Sequence, residues 1–196
     1  KLNVMLPEIC SKNQWIYLPK QTFKIDNWTF VGSPAWYDYS LMPSDHPFTL
    51  DDFISYQRGG RRWMDSLFCK WKEFQGPKRD LELTDYFYNK LDEQLKKVMT
   101  DNIFLVTHFP FYPEFLNFTG KNWDFEYFGA FMGSKKYRSL LDNYPIKQHI
   151  CGHLHRFART KVANCKAYLS PVGYVKEWAG MSVEERLSAC LLTIEV

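Results

Sequence analysis

The feature that most constrains this chain is Ile103-Phe104-Leu105-Val106, four apolar residues in a row that end on Thr107-His108. Such a run lacks the alternation of a half-exposed strand and predicts a strand buried on both faces. The segment before it, about Thr84 to Met99, places Phe87, Leu91, Leu95 and Val98 on one helical stripe, with Thr84 as the expected N-cap. Asp92 with Lys96 and Glu93 with Lys97 are expected to pair on its wet side, and an Asp101-Asn102 turn to follow. The arrangement recurs: helical spacing from about Ser134 to Asn143 stops before Pro145 and leads into Ile146 to Cys151, which ends on Gly152-His153. A helix followed by a buried strand, twice over, predicts an α/β sheet, and open α/β sheets place their ligand sites at the carboxyl ends of strands.

The remaining elements are weaker. Trp15 to Ser33 reads as short strands joined by tight turns at Lys20-Gln21 and Asp26-Asn27. Leu50 to Gln57 and Trp63 to Phe74 have helical spacing and are parted by Gly59-Gly60, so two short helices are expected. Further strands are expected near Phe157 to Val162, Lys166 to Ser170 and Leu187 to Ile194. No repeat or linker divides the 196 residues, which suit one core, so residues 1–196 are expected to form a single domain. A net charge of +3, from 25 basic and 22 acidic residues, is too small and too dispersed for a nucleic-acid binder. Five scattered cysteines without a C-x-x-C pair argue against a disulfide framework, and no apolar run is long enough to span a bilayer. A cytoplasmic protein with no membrane partner is expected.

Histidine carries the chemistry. Of the five in the chain, His153 and His155 lie one residue apart after Gly152, and His108 ends the other buried run. In an extended His-x-His segment both imidazoles project to one side, so with His108 from a neighbouring strand three neutral rings could converge on a divalent ion. A loop conformation would splay them. His149, inside the second strand, reads as a buried, hydrogen-bonded histidine, and His46 as a turn residue.

Val106-Thr107-His108-Phe109-Pro110, followed by Cys151-Gly152-His153-Leu154-His155-Arg156, resembles the last two metal motifs of the calcineurin-like metallophosphoesterases. Thr29 to Ser40, with Gly32, Trp36, Tyr37 and Asp38, resembles the segment after that family's Gly-Asn-His motif, and Leu169 to Trp178 its closing region. The resemblance implies a layered α-β-β-α sandwich of two mixed sheets with outer helices. It implies two divalent transition ions (Mn, Fe or Zn), with His108 and His153 on one and His155 on the other. It implies hydrolysis of phosphate mono- or diesters by a metal-activated water. The family's Asp-x-His, Gly-Asp and Gly-Asn-His motifs, which supply the bridging Asp and the general-acid His, do not occur in these residues. They are expected upstream of residue 1, making this chain the C-terminal portion of such a domain.

Three further expectations concern substrate. Phe109 and Tyr112 open a strongly aromatic stretch reaching Phe131, readable either as a wall that stacks on a leaving group or as packing over the sheet edge. Arg156 could contact phosphate or sit in a surface ion pair. Arg58, Arg61 and Arg62 could attract an anion or cap a solvated helix end. Two rivals to the binuclear enzyme stand beside it: a mononuclear zinc site using all three histidines, and a catalytically inactive binding module of the same fold whose protein partner the sequence does not identify.

Overall fold

The computed structural model describes residues 5–98 and 102–194. The elements run α1 (Met5–Lys12), β1 (Phe23–Ile25), β2 (Trp28–Ser33), α2 (Leu50–Ile54), β3 (Gln57–Arg58), β4 (Arg61–Arg62), α3 (Asp65–Phe68) and α4 (Arg79–Lys96). They continue with β5 (Ile103–Thr107), α5 (Trp123–Glu126), α6 (Ser139–Asn143), β6 (Ile146–Cys151), β7 (Ala158–Val162), β8 (Cys165–Leu169) and α7 (Val183–Cys190). Six strands form one mixed sheet in the order β1-β2-β5-β6-β8-β7. The four inner strands are parallel, and the two edge strands run against them. This is a mixed α/β architecture. Among the described residues the other ladder is the two-residue hairpin β3-β4, so a second full sheet of the expected pair is not among them.

The two strands anticipated around the histidines form where expected. In β5 every residue but Val106 is buried, because the sheet interior gives it no wet face. Helix α4 packs on β2 through the expected stripe, with Phe87, Leu91 and Leu95 buried. Its start was misplaced: the helix begins at Arg79, and acidic Asp80 and Glu82 occupy the first turn, where the helix dipole favours them. Thr84 lies inside, its hydroxyl donating to the Tyr37 carbonyl at 2.8 Å rather than capping the helix. Lys96 pairs with Asp92 as expected, while Glu93 pairs backwards with Lys90 at 3.7 Å. Met99 and Asp101, assigned to the helix end and the following turn, lie outside the described residues.

Other corrections share one cause, which is that local pattern lost to turn chemistry. Trp15 to Gln21 is not strand, although β1 and β2 form around a turn in which Asp26 takes φ 50°. Gly59 and Gly60 do separate α2 from α3, as the positive-φ pair of a tight hairpin (54° and 72°). Arg58, Arg61 and Arg62 therefore sit on a hairpin, not a helix end; Arg58 pairs with Asp124 at 2.7 Å, and Arg61 lies over Phe125. Leu187 to Ile194 is not a strand: α7 runs through Cys190, capped by Ser182 and Glu185 in a reciprocal box. Leu191, Leu192 and Ile194 then line an open groove of about 500 Å³ beside Trp28, Phe30, Phe104 and Ile150.

Two buried polar groups tie these layers together. Asp80 accepts from Trp36 Nε1 (3.0 Å), from Arg79 Nε and Nη2 (both 3.0 Å), from the Tyr39 hydroxyl (2.7 Å) and from the Tyr56 hydroxyl. One carboxylate thus fixes the start of α4 to the loop after β2 and to the entry of the β3-β4 hairpin. His149, fully buried in β6, is satisfied at both ring nitrogens, as its sequence position suggested. Thr107 Oγ1 spends its only hydrogen on the Phe109 carbonyl (2.7 Å), so it accepts from His149 Nε2–H at 2.8 Å. The Tyr112 hydroxyl then donates to the bare Nδ1 at 2.7 Å. Burial of the ring pushes its pKa down to about 3.

Two outcomes follow. Asp80→Ala leaves the half-buried Arg79 guanidinium and three ring donors unpaired, and should cost about 3–5 kcal/mol in urea unfolding; a loss below about 1 kcal/mol would show that Asp80 does not join the layers. For His149, the unfolded chain takes up a proton near pH 6.5 and the folded chain resists until about pH 3. Its contribution is therefore complete above pH 6.5 and declines as pH falls through that value, by about 3 kcal/mol at pH 4.5. A His149→Gln variant should lose stability more gently than wild type between pH 6.5 and 4.5, and parallel curves would refute the assignment.

Candidate functional site

The site grows from the parallel register of β5 and β6. The ladder does not stop at the strand ends: Gly152 N–H donates to the His108 carbonyl at 3.0 Å, and Ser170 N–H to the Cys151 carbonyl at 3.0 Å. Phe109 N–H donates to the Pro34 carbonyl at 3.3 Å, which brings the end of β2 into the same row. The carboxyl ends of β2, β5, β6 and β8 therefore form one rim, and His108 and His153 stand on it side by side.

Beyond Gly152 the chain turns sharply. Leu154 N–H donates back to the Gly152 carbonyl (2.9 Å) and Arg156 N–H to the Leu154 carbonyl (2.8 Å), two successive three-residue turns. His153 takes a left-handed conformation, at φ 69°. A non-glycine residue held there costs about 1–2 kcal/mol, which the surrounding packing must offset. The expectation that both imidazoles of the His-x-His segment share one side fails for this reason, since the segment is a pair of turns and not a strand. The rings separate.

His153 points inward. Its ring lies 4.2 Å from that of Phe109 and 5.7 Å from that of Trp63, which the β3-β4 hairpin delivers. Its Nδ1 faces His108 Nε2 at 3.1 Å, and its Nε2 is buried without a hydrogen bond. Burial first, and then His108, push the His153 pKa down to about 3; the Phe131 backbone acts in the opposite sense, without the geometry of a hydrogen bond. His108 is also lowered, by burial and by His155. Both rings are thus neutral at physiological pH, and neutral imidazole is the form that binds metal. His155 turns outward, with Nδ1 on Glu177 Oε2 at 2.8 Å and its ring edge-on to Tyr174 at 4.5 Å. Among the described residues no three His, Cys, Asp or Glu side chains gather tightly enough to hold one ion. The mononuclear three-histidine arrangement is therefore not what these residues build.

The substrate residues divide. Tyr112 is wholly buried and its hydroxyl is committed to His149, so it faces no ligand. Phe109 is buried too, and its ring braces His108 (4.8 Å) and His153 instead of forming a wall. The aromatic stretch is mainly packing: Phe111, Phe115, Tyr127 and Phe131 are all buried, and Glu126 closes the loop by accepting from Thr119 and Gly120. Arg156 forms no ion pair among the described residues, and its Nε is buried without a partner. His46 is a turn residue, its Nδ1 accepting from Phe48 N–H at 3.1 Å. Glu177 had no signal in the sequence. A cavity of about 550 Å³ between α4 and the end of β2, lined by Tyr17, Lys20, Ser33, Trp71 and Gln94, includes none of the histidines. None of the helices among the described residues is long and apolar enough to cross a membrane.

No family model matches the chain, and no curated protein matches it. Among solved structures it is similar to the crystal structure of phosphopantetheinyl hydrolase (PptH) from Mycobacterium tuberculosis, with a TM-score of 0.65 and 20% identity. The match covers 92% of this chain and 64% of that one, so this chain spans a little under two thirds of its neighbour's length. At that identity the likeness establishes a shared α/β fold.

Proposed function

We propose that this chain carries part of a binuclear metal site that hydrolyses phosphate mono- or diesters, in a domain of the calcineurin-like metallophosphoesterase type with two mixed sheets layered between outer helices. The observation that carries this reading is the pair His108 Nε2 and His153 Nδ1, facing each other at 3.1 Å on adjacent strand ends. Two nitrogens that each lie ~2.0–2.1 Å from one ion, at an angle of about 100°, are about 3.1 Å apart. The pair is held in that geometry by a strained backbone, which is where functional constraints concentrate. The shared fold with a protein described as a hydrolase makes ester hydrolysis the first chemistry to test.

Each side chain has a separate job. His108 and His153 would hold one ion and His155 the other, as the family resemblance implies. Mn, Fe or Zn suits mixed nitrogen and oxygen donors, and such ions, when bound, would supply a water of lowered pKa and neutralise charge on phosphoryl oxygens. Phe109 and Trp63 fill the space behind the His153 ring and keep water from its buried side. Arg156, one residue past His155 and without an ion pair among the described residues, supplies donors suited to a phosphoryl oxygen.

A catalytically inactive binding module is favoured by one observation, the lack of a third ligand beside the His108 and His153 pair among the described residues. Metal counting separates the two. On a chain that also carries the family's Asp-x-His, Gly-Asp and Gly-Asn-His motifs, loaded with Mn or Zn and desalted, the binuclear reading expects close to two ions by mass spectrometry, with about one lost in His153→Ala at unchanged fold. Slow hydrolysis of an aryl phosphodiester with added Mn should fall with it. A wild-type chain that retains no metal sinks the reading and leaves the binding module.

A further inference from the structure

The contact between His155 and Glu177 is unlike those of the other histidines, since it joins an imidazole to a carboxylate across 21 intervening residues with no motif between them. We propose that Glu177 is a positioning residue, which fixes His155 as the Nδ1–H tautomer and leaves its Nε2 lone pair free for the second ion. This rests on the binuclear reading for the use of that lone pair, but the tautomer itself requires no metal. An ionised carboxylate only accepts, so the 2.8 Å contact places the proton of a neutral ring on Nδ1. Ring orientation and ligand basicity at metal sites are commonly set by such a carboxylate behind the imidazole.

The local backbone is built to hold this pair. Glu177 Oε2 also accepts the Tyr174 N–H at 2.9 Å, and Glu177 N–H returns to the Tyr174 carbonyl at 2.8 Å, a reciprocal box closing the short turn Val175–Glu177. Tyr174 in turn sets its ring against His155 from the other side. Gly173 completes the clamp: it takes φ 72°, and a Cβ there would lie 3.0 Å from Glu177 Oε2 and 3.9 Å from the His155 Cβ. Any other residue would be strained and would crowd the carboxylate. The side chains of His155 and Glu177 are 29% and 38% exposed, and pairs this wet add little to stability. So much local construction around so weak a bond points to orientation of the ring as its purpose.

Ring-nitrogen NMR tests this on the metal-free chain. Wild type should show His155 protonated at Nδ1 and bare at Nε2; Glu177→Ala should relax it to a mixture of tautomers, while Glu177→Gln, which keeps an acceptor oxygen, should retain much of the preference. Zinc titration supplies the second readout. On a chain that also carries the family's upstream metal motifs, Glu177→Ala should weaken one of the two binding events about 10–100-fold and leave the other unchanged. A His155 found as Nε2–H in wild type, or a tautomer that Glu177→Ala does not alter, overturns the proposal. If Glu177→Ala does not fold, Glu177→Leu, of similar size and without an acceptor oxygen, takes its place: relaxation of His155 to a mixture of tautomers keeps support, and spectra identical to wild type overturn the proposal. Failure of wild type to bind zinc would end the binuclear reading, with the tautomer still deciding Glu177.

Discussion

The parallel ladder between β5 and β6 is the constraint on which everything else depends. Its register pairs Leu105 with His149 and Val106 with Ile150, and it continues past both strands through the bond from Gly152 to His108. A slip of one residue would turn every side chain to the opposite face. His149 guards against that slip, because its two nitrogens must meet Thr107 on the neighbouring strand and Tyr112 on the loop beyond it. Any other register would bury an imidazole with nothing to bond, and an unsatisfied buried polar group costs about 1–3 kcal/mol. The precision of the rim thus originates below it, in a residue whose two ring nitrogens are both committed within the fold.

Packing carries that precision outward. Phe109 leaves the rim directly into the core, so the residue after His108 is anchored at both its backbone and its ring. Trp63 reaches His153 because the β3-β4 hairpin is pinned through Tyr56 to Asp80, and Asp80 belongs to α4. A chain of contacts therefore runs from α4 through the hairpin to the imidazole pair. The left-handed backbone of His153 can persist only where surroundings of this density over-determine it.

What could be read from the sequence follows from how local each signal is. Ile103 to Val106 announces β5 because burial on both faces removes polar residues from the strand itself. His149 was legible because a histidine inside such a strand must be satisfied. The helix α7 was also locally written, in the Ser182-Val183-Glu184-Glu185 capping box, but the apolar residues from Leu187 to Ile194 outweighed it. The start of α4 was not visible, since Asp80 is stabilised by Trp36, Tyr39 and Tyr56, all distant in sequence. The two-sided geometry of His153 and His155 was hidden for a different reason: the period-two rule holds for strands, and nothing in Gly-His-Leu-His says that the histidine, not the glycine, turns left-handed. Tyr112 misled because an aromatic beside a motif looks the same whether it faces a ligand or a buried imidazole. Glu177 is beyond reach of any local rule.

The histidines sort themselves by what their nitrogens do. A structural histidine closes its account within the fold, as His149 does with one bond given and one received. His108 and His153 face each other instead, and two neutral rings in that arrangement leave one nitrogen of the pair without its proper partner whichever way the proton between them lies. In one tautomer His153 Nε2 is a bare, buried lone pair; in the other it carries a buried proton with no acceptor in hydrogen-bonding geometry. On the proposed reading, a cation held by His153 Nδ1 and His108 Nε2 would remove that conflict, because both lone pairs would point at charge. The proton of His153 would then sit on Nε2. His155 presents the complementary case, one nitrogen committed to a carboxylate and the other left open. One buried nitrogen of His153 left unsatisfied and one nitrogen of His155 left open, beside a His149 that is satisfied at both, are the physical content of the motif.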